Sequence, residues 1–310
     1  MLEVREISKS FKKTVAVDHL SMYIEKGESV GLLGPNGAGK STTISMISTL
    51  LPPDNGTIEY KNINILKNAS TIRPVLGVVP QEIALYEELS AYENMRFFGK
   101  IYGLKGTALN SKVDEVLKLV GLTERQKEPV KNYSGGMKRR INLAVALLHD
   151  PEVLIMDEPT VGIDPQSRNH ILDTIRKLNV EHNLTILYTS HYMDEVEKLC
   201  DRIYIMDDGK IVASGTNEEL KSLLSNEETV EIEVKTKKVE FAEVLKKHPD
   251  VNQLYETTKG YRLIVSKRDE LLVDIFRQAA LHEVTVTGIQ VKDPTLEDVF
   301  LHLTGRKLRD

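Results

Sequence analysis

A lysine and two hydroxyl residues close a glycine-rich run, Gly34, Pro35, Asn36, Gly37, Ala38, Gly39, Lys40, Ser41 and Thr42, that fits the pattern GxxxxGK[ST]. Such a run grips phosphates: its glycines let successive backbone N–H groups turn inward on an anion, and the helix that follows adds its positive end. Lys40 supplies a point charge, the Ser41 hydroxyl is placed to ligate a magnesium ion between the β- and γ-phosphates, and Thr42 contacts the α-phosphate. An apolar run at residues 153–156 ends in Asp157 and Glu158. There Asp157 can hold the metal through its water shell, and Glu158 is the general base that polarises an attacking water. A third element, Ser134-Gly135-Gly136, opens another helix whose free N–H groups can hold a second phosphate. Any one glycine cluster also serves as an ordinary turn, and two acids before Pro159 also cap one. The order of the three, with their flanking apolar and helical patterns, points to the binding and hydrolysis of ATP.

Those residues need rigid supports, and the sequence supplies them. Short apolar runs at residues 30–33, 75–79, 153–156 and 185–187 read as parallel strands covered on both faces, with helical patterns between them, so the class is α/β. The phosphate loop lies between the first run and a helix over 41–50, the strand, loop, helix order it requires. From 89 to about 122 the pattern turns helical, with Ser90 and Glu93 as a capping box and Val113, Val116, Leu117 and Val120 on one face. The spacing predicts an inserted helical subdomain over about 82–135. Near 220–226 this pattern stops, and a new one runs strand 229–234, helix 241–247, strands 251–255 and 261–265, helix 270–281, strand 284–291. That βαββαβ order predicts a small α+β module of ferredoxin-like type. A last amphipathic helix over 294–303, with Leu296, Val299, Phe300 and Leu303 on one side, is expected to dock on another part of the chain. The expected organisation is a nucleotide-binding domain over 1–222 and a C-terminal domain over 227–310.

Composition narrows the class. With 310 residues, 28% charged and 5% aromatic, the chain has the make-up of an ordinary globular protein. A formal net charge of −5 argues against general binding of nucleic acid, and the local run Lys138, Arg139, Arg140 reads as a solvated helix face. One cysteine, Cys200, forbids an internal disulfide, reads as a packed residue and fits a reducing compartment. The first residues alternate as a strand without a basic or apolar leader, and no apolar run approaches the roughly 20 residues of a membrane helix.

Taken together, residues 2–220 resemble the nucleotide-binding subunit of an ATP-binding cassette (ABC) transporter, whose P-loop fold and helical subdomain the chain is then expected to share. The resemblance implies further roles. Gln81 resembles a loop glutamine that contacts the metal and attacking water and communicates with a membrane partner. His191 resembles the switch histidine at the γ-phosphate, Phe11 the aromatic that stacks on adenine, and Asp164 the aspartate that meets an opposite subunit. In this family the serine-glycine tip binds ATP held by a partner copy, so the implied partners are a second nucleotide-binding subunit, for which a homodimer suffices, and a membrane permease. The implied place is the cytoplasmic face of the membrane. One departure stands out: Tyr133 and Met137 flank Ser-Gly-Gly where the family's common form has Leu and Gln. The lost amide removes a possible contact to the opposing nucleotide, of about 0.5 to 1.5 kcal/mol.

The segment from Asp293 to Gly305, with residues 159–167, is similar to bacterial exporters of the daunorubicin-resistance type, and within these to ATP-binding proteins for resistance to linear polyene antibiotics. Sodium or lipid export stays open, because cargo is recognised by a separate subunit. The competing class, a non-transport ATPase on ribosomes or DNA, fits less well. Its chromosome-bound members carry long coiled coils between the lysine and the serine-glycine element, and its translation members carry two cassettes. The C-terminal module reads as a dimer-docking or regulatory piece, with no metal cluster or glycine loop in its sequence.

Overall fold

The computed structural model describes residues 1–224, 228–266, 269–292 and 294–305. It divides into two compact units, Met1–Ser214 and Gly215–Lys307. The first unit begins with β1 (Leu2–Phe11) and β2 (Thr14–Ile24), followed by β3 (Ser29–Leu33), α1 (Lys40–Ile47), β4 (Asn55–Tyr60), β5 (Ile63–Asn64) and β6 (Leu76–Val79). Three helices come next, α2 (Ala91–Ile101), α3 (Gly106–Leu119) and α4 (Gly135–Leu147). Then β7 (Val153–Asp157), α5 (Pro165–His182), β8 (Thr185–Ser190), α6 (Met193–Leu199), β9 (Arg202–Asp207) and β10 (Lys210–Gly215) complete the alternation.

Two sheets form. The antiparallel one has the order β2-β1-β4-β5; the larger has the order β10-β9-β3-β8-β7-β6. In the larger sheet β9, β3, β8, β7 and β6 run parallel. Every residue of β3, β7 and β8 is buried, as expected of parallel strands covered on both faces. Side chains of the antiparallel sheet, α1 and the larger sheet share one core that includes Leu2, Ile7, Leu20, Ile47, Ile155 and Leu187.

Register decides what meets what. Leu33 pairs with Ser190, Asp157 with Thr189, and Val79 with Met156. Because all these strands point the same way, the segments that leave their C-terminal ends emerge side by side, where open α/β sheets bind ligands.

Helices α2, α3 and α4 pack together beside this sheet. Ser90 and Glu93 do form the reciprocal cap: Ser90 Oγ accepts from the Glu93 N–H at 3.2 Å, and Glu93 Oε2 accepts from the Ser90 N–H at 2.9 Å. The basic run on α4 is not a solvated face. Lys138 pairs with Glu87 at 2.6 Å, Arg139 donates to the carbonyl of Gln81 and at 3.4 Å to that of Pro80, and Arg140 donates to the Val120 carbonyl at 3.1 Å. All three are half-buried, because α4 lies between other elements and each cation finds its acceptor there.

The second unit comprises α7 (Asn217–Ser222), β11 (Glu228–Val234), α8 (Val239–Lys246), β12 (Val251–Glu256), β13 (Gly260–Val265), α9 (Asp269–Leu281), β14 (Val286–Lys292) and α10 (Leu296–Thr304). Its antiparallel sheet has the order β12-β13-β11-β14, the split βαββαβ arrangement. Phe241, Leu245, Tyr261, Leu263, Leu271 and Ile275 fill the space between sheet and helices. Helix α10 buries Leu296, Val299, Phe300 and Leu301, lies against α7, and places Glu297 3.2 Å from Arg262 of β13. Residues 225–227, where sequence pattern put the join between domains, and Asp293 lie outside the described residues.

Cys200 follows α6, is buried, and has its thiol pKa pushed far up by that burial. Only the thiolate reacts readily. A thiol-reactive dye is expected to leave the native protein unlabelled over a period in which the urea-unfolded chain labels completely; rapid stoichiometric labelling of the native protein contradicts this packing.

Candidate active site

The phosphate loop joins β3 to α1. Gly39 is the cap of α1, with φ 102°, a value open to glycine, and a Cβ there would lie 2.2 Å from the Ala16 carbonyl. Its carbonyl accepts from the Thr43 N–H at 2.9 Å and from the Thr43 hydroxyl at 3.0 Å, so the first turn of α1 is tied to the loop. Lys40 is 5% exposed. Its ammonium folds back on the loop, donating to the carbonyls of Gly34 at 2.8 Å and Pro35 at 3.1 Å. Ser41 is exposed and Thr42 half-buried at the same helix start.

Across the sheet edge, β7 ends at Asp157, and Glu158 turns the chain with φ 46°. A non-glycine residue in that region is uncommon and marks a conformation imposed by its surroundings. Three of the residues chosen from sequence converge on its carboxylate. His191 Nδ1 lies 3.2 Å from Glu158 Oε2, the Lys40 ammonium 3.7 Å from Oε1, and Gln81 Nε2 donates to Oε2 at the outer limit of 3.5 Å. An ionised carboxylate only accepts, so the imidazole carries its proton on Nδ1 in this contact. That hydrogen bond first, then the charge of Lys40, holds the Glu158 carboxyl below its usual value against the upward pull of burial. Burial lowers the Lys40 pKa, and the nearby Glu158 and Asp157 oppose but do not overcome it.

A residue outside the set chosen from sequence holds the two acids in place. Thr189, directly across from Asp157 in the sheet, donates its hydroxyl to Asp157 Oδ1 at 2.8 Å and accepts the Glu158 N–H at 2.9 Å. The pairing of β7 with β8 is the signal for it, and periodicity alone does not reveal which strands are neighbours.

Phe11 ends β1 and is 47% exposed, so it is a surface ring and not core. Ser134, Gly135 and Gly136 start α4: the Ser134 hydroxyl accepts from the Met137 N–H at 3.3 Å, and Ser134 and Gly135 are exposed. A Cβ on Gly136 would lie 2.1 Å from Ser167 Oγ and 3.3 Å from Asp164 Oδ2, so only glycine lets this helix tip sit against the start of α5. Asp164 caps α5, its Oδ1 accepting from the Ser167 N–H at 2.8 Å. The chain therefore carries two clusters, one built on Lys40, Gln81, Glu158 and His191, the other on Ser134–Gly136 and Asp164. Among the described residues no hydrogen bond joins Ser134, Gly135 or Gly136 to the lysine-bearing loop.

The two departures from the common signature are turned inward. Tyr133 is 5% exposed and donates to the Arg125 carbonyl at 2.6 Å, and Met137 is 8% exposed with its sulfur 3.6 Å from the Arg125 guanidinium. They pack the helix tip on the subdomain.

A model of the ABC transporter family matches residues 17–161, and one described as the C-terminal domain of DrrA1-3-like ATP-binding proteins matches residues 215–304. Over its full length the chain is 47% identical to all of the linearmycin resistance ATP-binding protein LnrL of Bacillus subtilis (strain 168). The chain belongs to the ATP-binding subunits of ABC transporters. Like them, it is an ATP-binding and ATP-hydrolysing protein. It is also 36% identical to the daunorubicin resistance ATP-binding protein DrrA3 of Streptomyces coeruleorubidus, over 94% of this chain and 91% of that one. Identity to the Nod factor export ATP-binding protein I of Cupriavidus metallidurans is 37%, over 100% and 99%. Among solved structures, an ATP-binding cassette in a dimeric post-hydrolysis state bound to ADP and Pi superposes with a TM-score of 0.65 at 26% identity, over 70% of this chain and 98% of that one.

The substitution Thr189→Val keeps the shape of the side chain and deletes both hydrogen bonds to the acids. ATP turnover is expected to fall about tenfold, with a loss of about 1 to 3 kcal/mol in unfolding free energy from the unpaired Glu158 N–H. Steady-state ATPase and urea unfolding check this; undiminished turnover in the Thr189→Val protein contradicts the assignment.

Proposed function

We propose that two copies of this chain hydrolyse ATP between them and so drive a membrane permease that exports an amphipathic compound. The observation that carries this reading is the convergence of Lys40, Gln81 and His191 on Glu158, with the exposed serine-glycine tip in a separate cluster. In the proposed site, the N–H groups of Gly34, Asn36, Gly37, Ala38 and Gly39, with Pro35 shaping the turn, and the start of α1 cradle the phosphates, Lys40 neutralises them, and Thr42 adds a hydroxyl. Phe11 stacks on the adenine. Glu158, kept ionised by His191, takes a proton from water as the water oxygen bonds to the γ-phosphorus and the bond to the β-phosphate oxygen breaks. The hydroxyl of Ser41, the carboxylate of Asp157 and the amide oxygen of Gln81 form an all-oxygen donor set that suits magnesium. When bound, that ion would neutralise charge on the β- and γ-phosphates.

Ser134, Gly135, Gly136 and Asp164 are assigned to the nucleotide held by the other copy. An exposed N-terminus on the 13-residue α4 is a suitable anion site for it. No helix among the described residues is long and apolar enough to cross a membrane. The path for cargo is assigned to a separate subunit, at whose cytoplasmic side this chain acts. Two exposed rings, Tyr86 and Phe97, with centroids 4.9 Å apart and the half-buried Phe98 5.3 Å from Phe97, come after Gln81 in the chain and are assigned to contact with that subunit. Names of the relatives, two for antibiotic resistance and one for Nod factor export, support an amphipathic cargo, with an antibiotic as the first choice. We assign the C-terminal unit, into which α7 falls, a dimer-docking or regulatory role.

Pairing is tested by dilution. ATPase rate per chain is expected to fall as the full-length protein is diluted through its dimer dissociation constant, measured by sedimentation with ATP. A rate per chain that stays constant in a purely monomeric sample overturns the reading.

A further inference from the structure

Below the hydrolytic cluster lies a second carboxylate with no role in it so far. Glu195, on α6, is 2% exposed and is met by side chains from β8, α5 and the turn after Glu158. The Thr160 hydroxyl, two residues past Glu158, donates to it at 2.8 Å. Tyr188 and Ser190 of β8 each donate to Oε2 at 2.7 Å. From α5, Arg168 Nε forms an ion pair at 3.2 Å. Ser190 also accepts the Tyr192 N–H at 2.9 Å, so one hydroxyl tied to Glu195 fixes the backbone on both sides of His191. The Arg168 guanidinium lies 4.2 Å from the ring centre of Tyr192, whose ring in turn stands 4.3 Å from that of His191.

We propose that Glu195 is a positioning residue for hydrolysis: it grips the segments that carry Glu158 and His191 and so sets the spacing between the base and the switch histidine. This rests on the assignment of those two residues above. The chemistry favours a carboxylate at this point. It offers acceptor sites on both oxygens and only accepts, which suits three hydroxyl donors and a guanidinium arriving together. A buried charge held by one cation and three hydroxyls is costly to disturb, so the segments move only as a unit. Glutamine has the same size but carries no charge for Arg168 and replaces one acceptor oxygen by an NH2 group, which a hydroxyl meets only by turning its own proton elsewhere and the guanidinium cannot meet at all. The clasp on the 160 and 190 turns is then loosened. Shifts of this kind alter rate more than nucleotide affinity, because the phosphate loop and α1 make none of these contacts.

The test compares Glu195→Gln and Ser190→Ala with the unaltered full-length chain, measuring kcat and KM for ATP, the dissociation constant of a fluorescent ADP, and the melting temperature. Expected for Glu195→Gln is a fall in kcat of about tenfold or more with KM and ADP affinity within about twofold. Ser190→Ala, which removes only the clasp beside His191, is expected to lower kcat about two- to fivefold in the same selective way, and it decides the matter where the glutamine variant does not fold. Unchanged kcat in Ser190→Ala or in a folded Glu195→Gln overturns the proposal, and so does a fall in kcat matched by equal losses of ADP affinity and melting temperature. Absence of ATPase in the unaltered chain, in contrast, is a failure of the hydrolytic assignment itself.

Discussion

The contact on which the rest depends is the shared carboxylate of Glu158. A buried acid beside a buried ammonium and an imidazole is stable only if each is held where the others can use it. Everything in the larger sheet serves that placement. The strand order puts β8 between β3 and β7, so the lysine-bearing loop and the two acids flank the strand that ends in Thr189 and Ser190 and leads into His191. Successive side chains on a strand point to opposite faces, and here both faces are used. Thr189 holds Asp157 and Glu158, and Ser190 holds Glu195. One short strand therefore ties the reactive groups to two different supports.

The same construction explains why the helix tip proposed for a second phosphate stands apart. Ser134–Gly136 rides on the helical group α2, α3 and α4, where Tyr133 and Met137 anchor it through Arg125. Yet α4 is not independent of the hydrolytic cluster. Arg139 reaches the carbonyls of Pro80 and Gln81, and the Asn142 side chain accepts from the Ala84 N–H at 3.3 Å. Gly136 meanwhile rests against Ser167 at the start of α5, which also carries Arg168, a partner of Glu195. The tip is thus connected to the segments of Gln81, Glu158 and His191 through backbone and hydroxyl contacts. Motion at one nucleotide has a physical route to the helix tip assigned to the other.

Much of this was legible in residue order. The phosphate loop, the acids after an apolar run and the serine-glycine helix start each have a local signature, because their chemistry demands particular types at fixed spacing. The βαββαβ order of the second unit was legible for a similar reason, each element having its own periodicity. What stayed hidden depends on which strands are neighbours. Thr189, two residues past the apolar run 185–187, carries no mark of its own until β7 is placed beside β8. Glu195 reads as an acid in the first turn of α6, a position acids favour for the helix dipole alone. Lys138, Arg139 and Arg140 read as a solvated run because the acceptors of two of them are backbone carbonyls, which carry no mark in the sequence.

The most direct measurement of the central claim is ATP turnover by Glu158→Gln beside its ATP binding, both on the full-length chain. The amide keeps the shape of the side chain and its place between Lys40 and His191 but cannot accept a proton from water. The account expects turnover to fall by about 10² to 10⁴-fold while ATP still binds. Turnover at the unaltered rate would contradict it, since the residue that the fold works hardest to position would then have no part in the reaction.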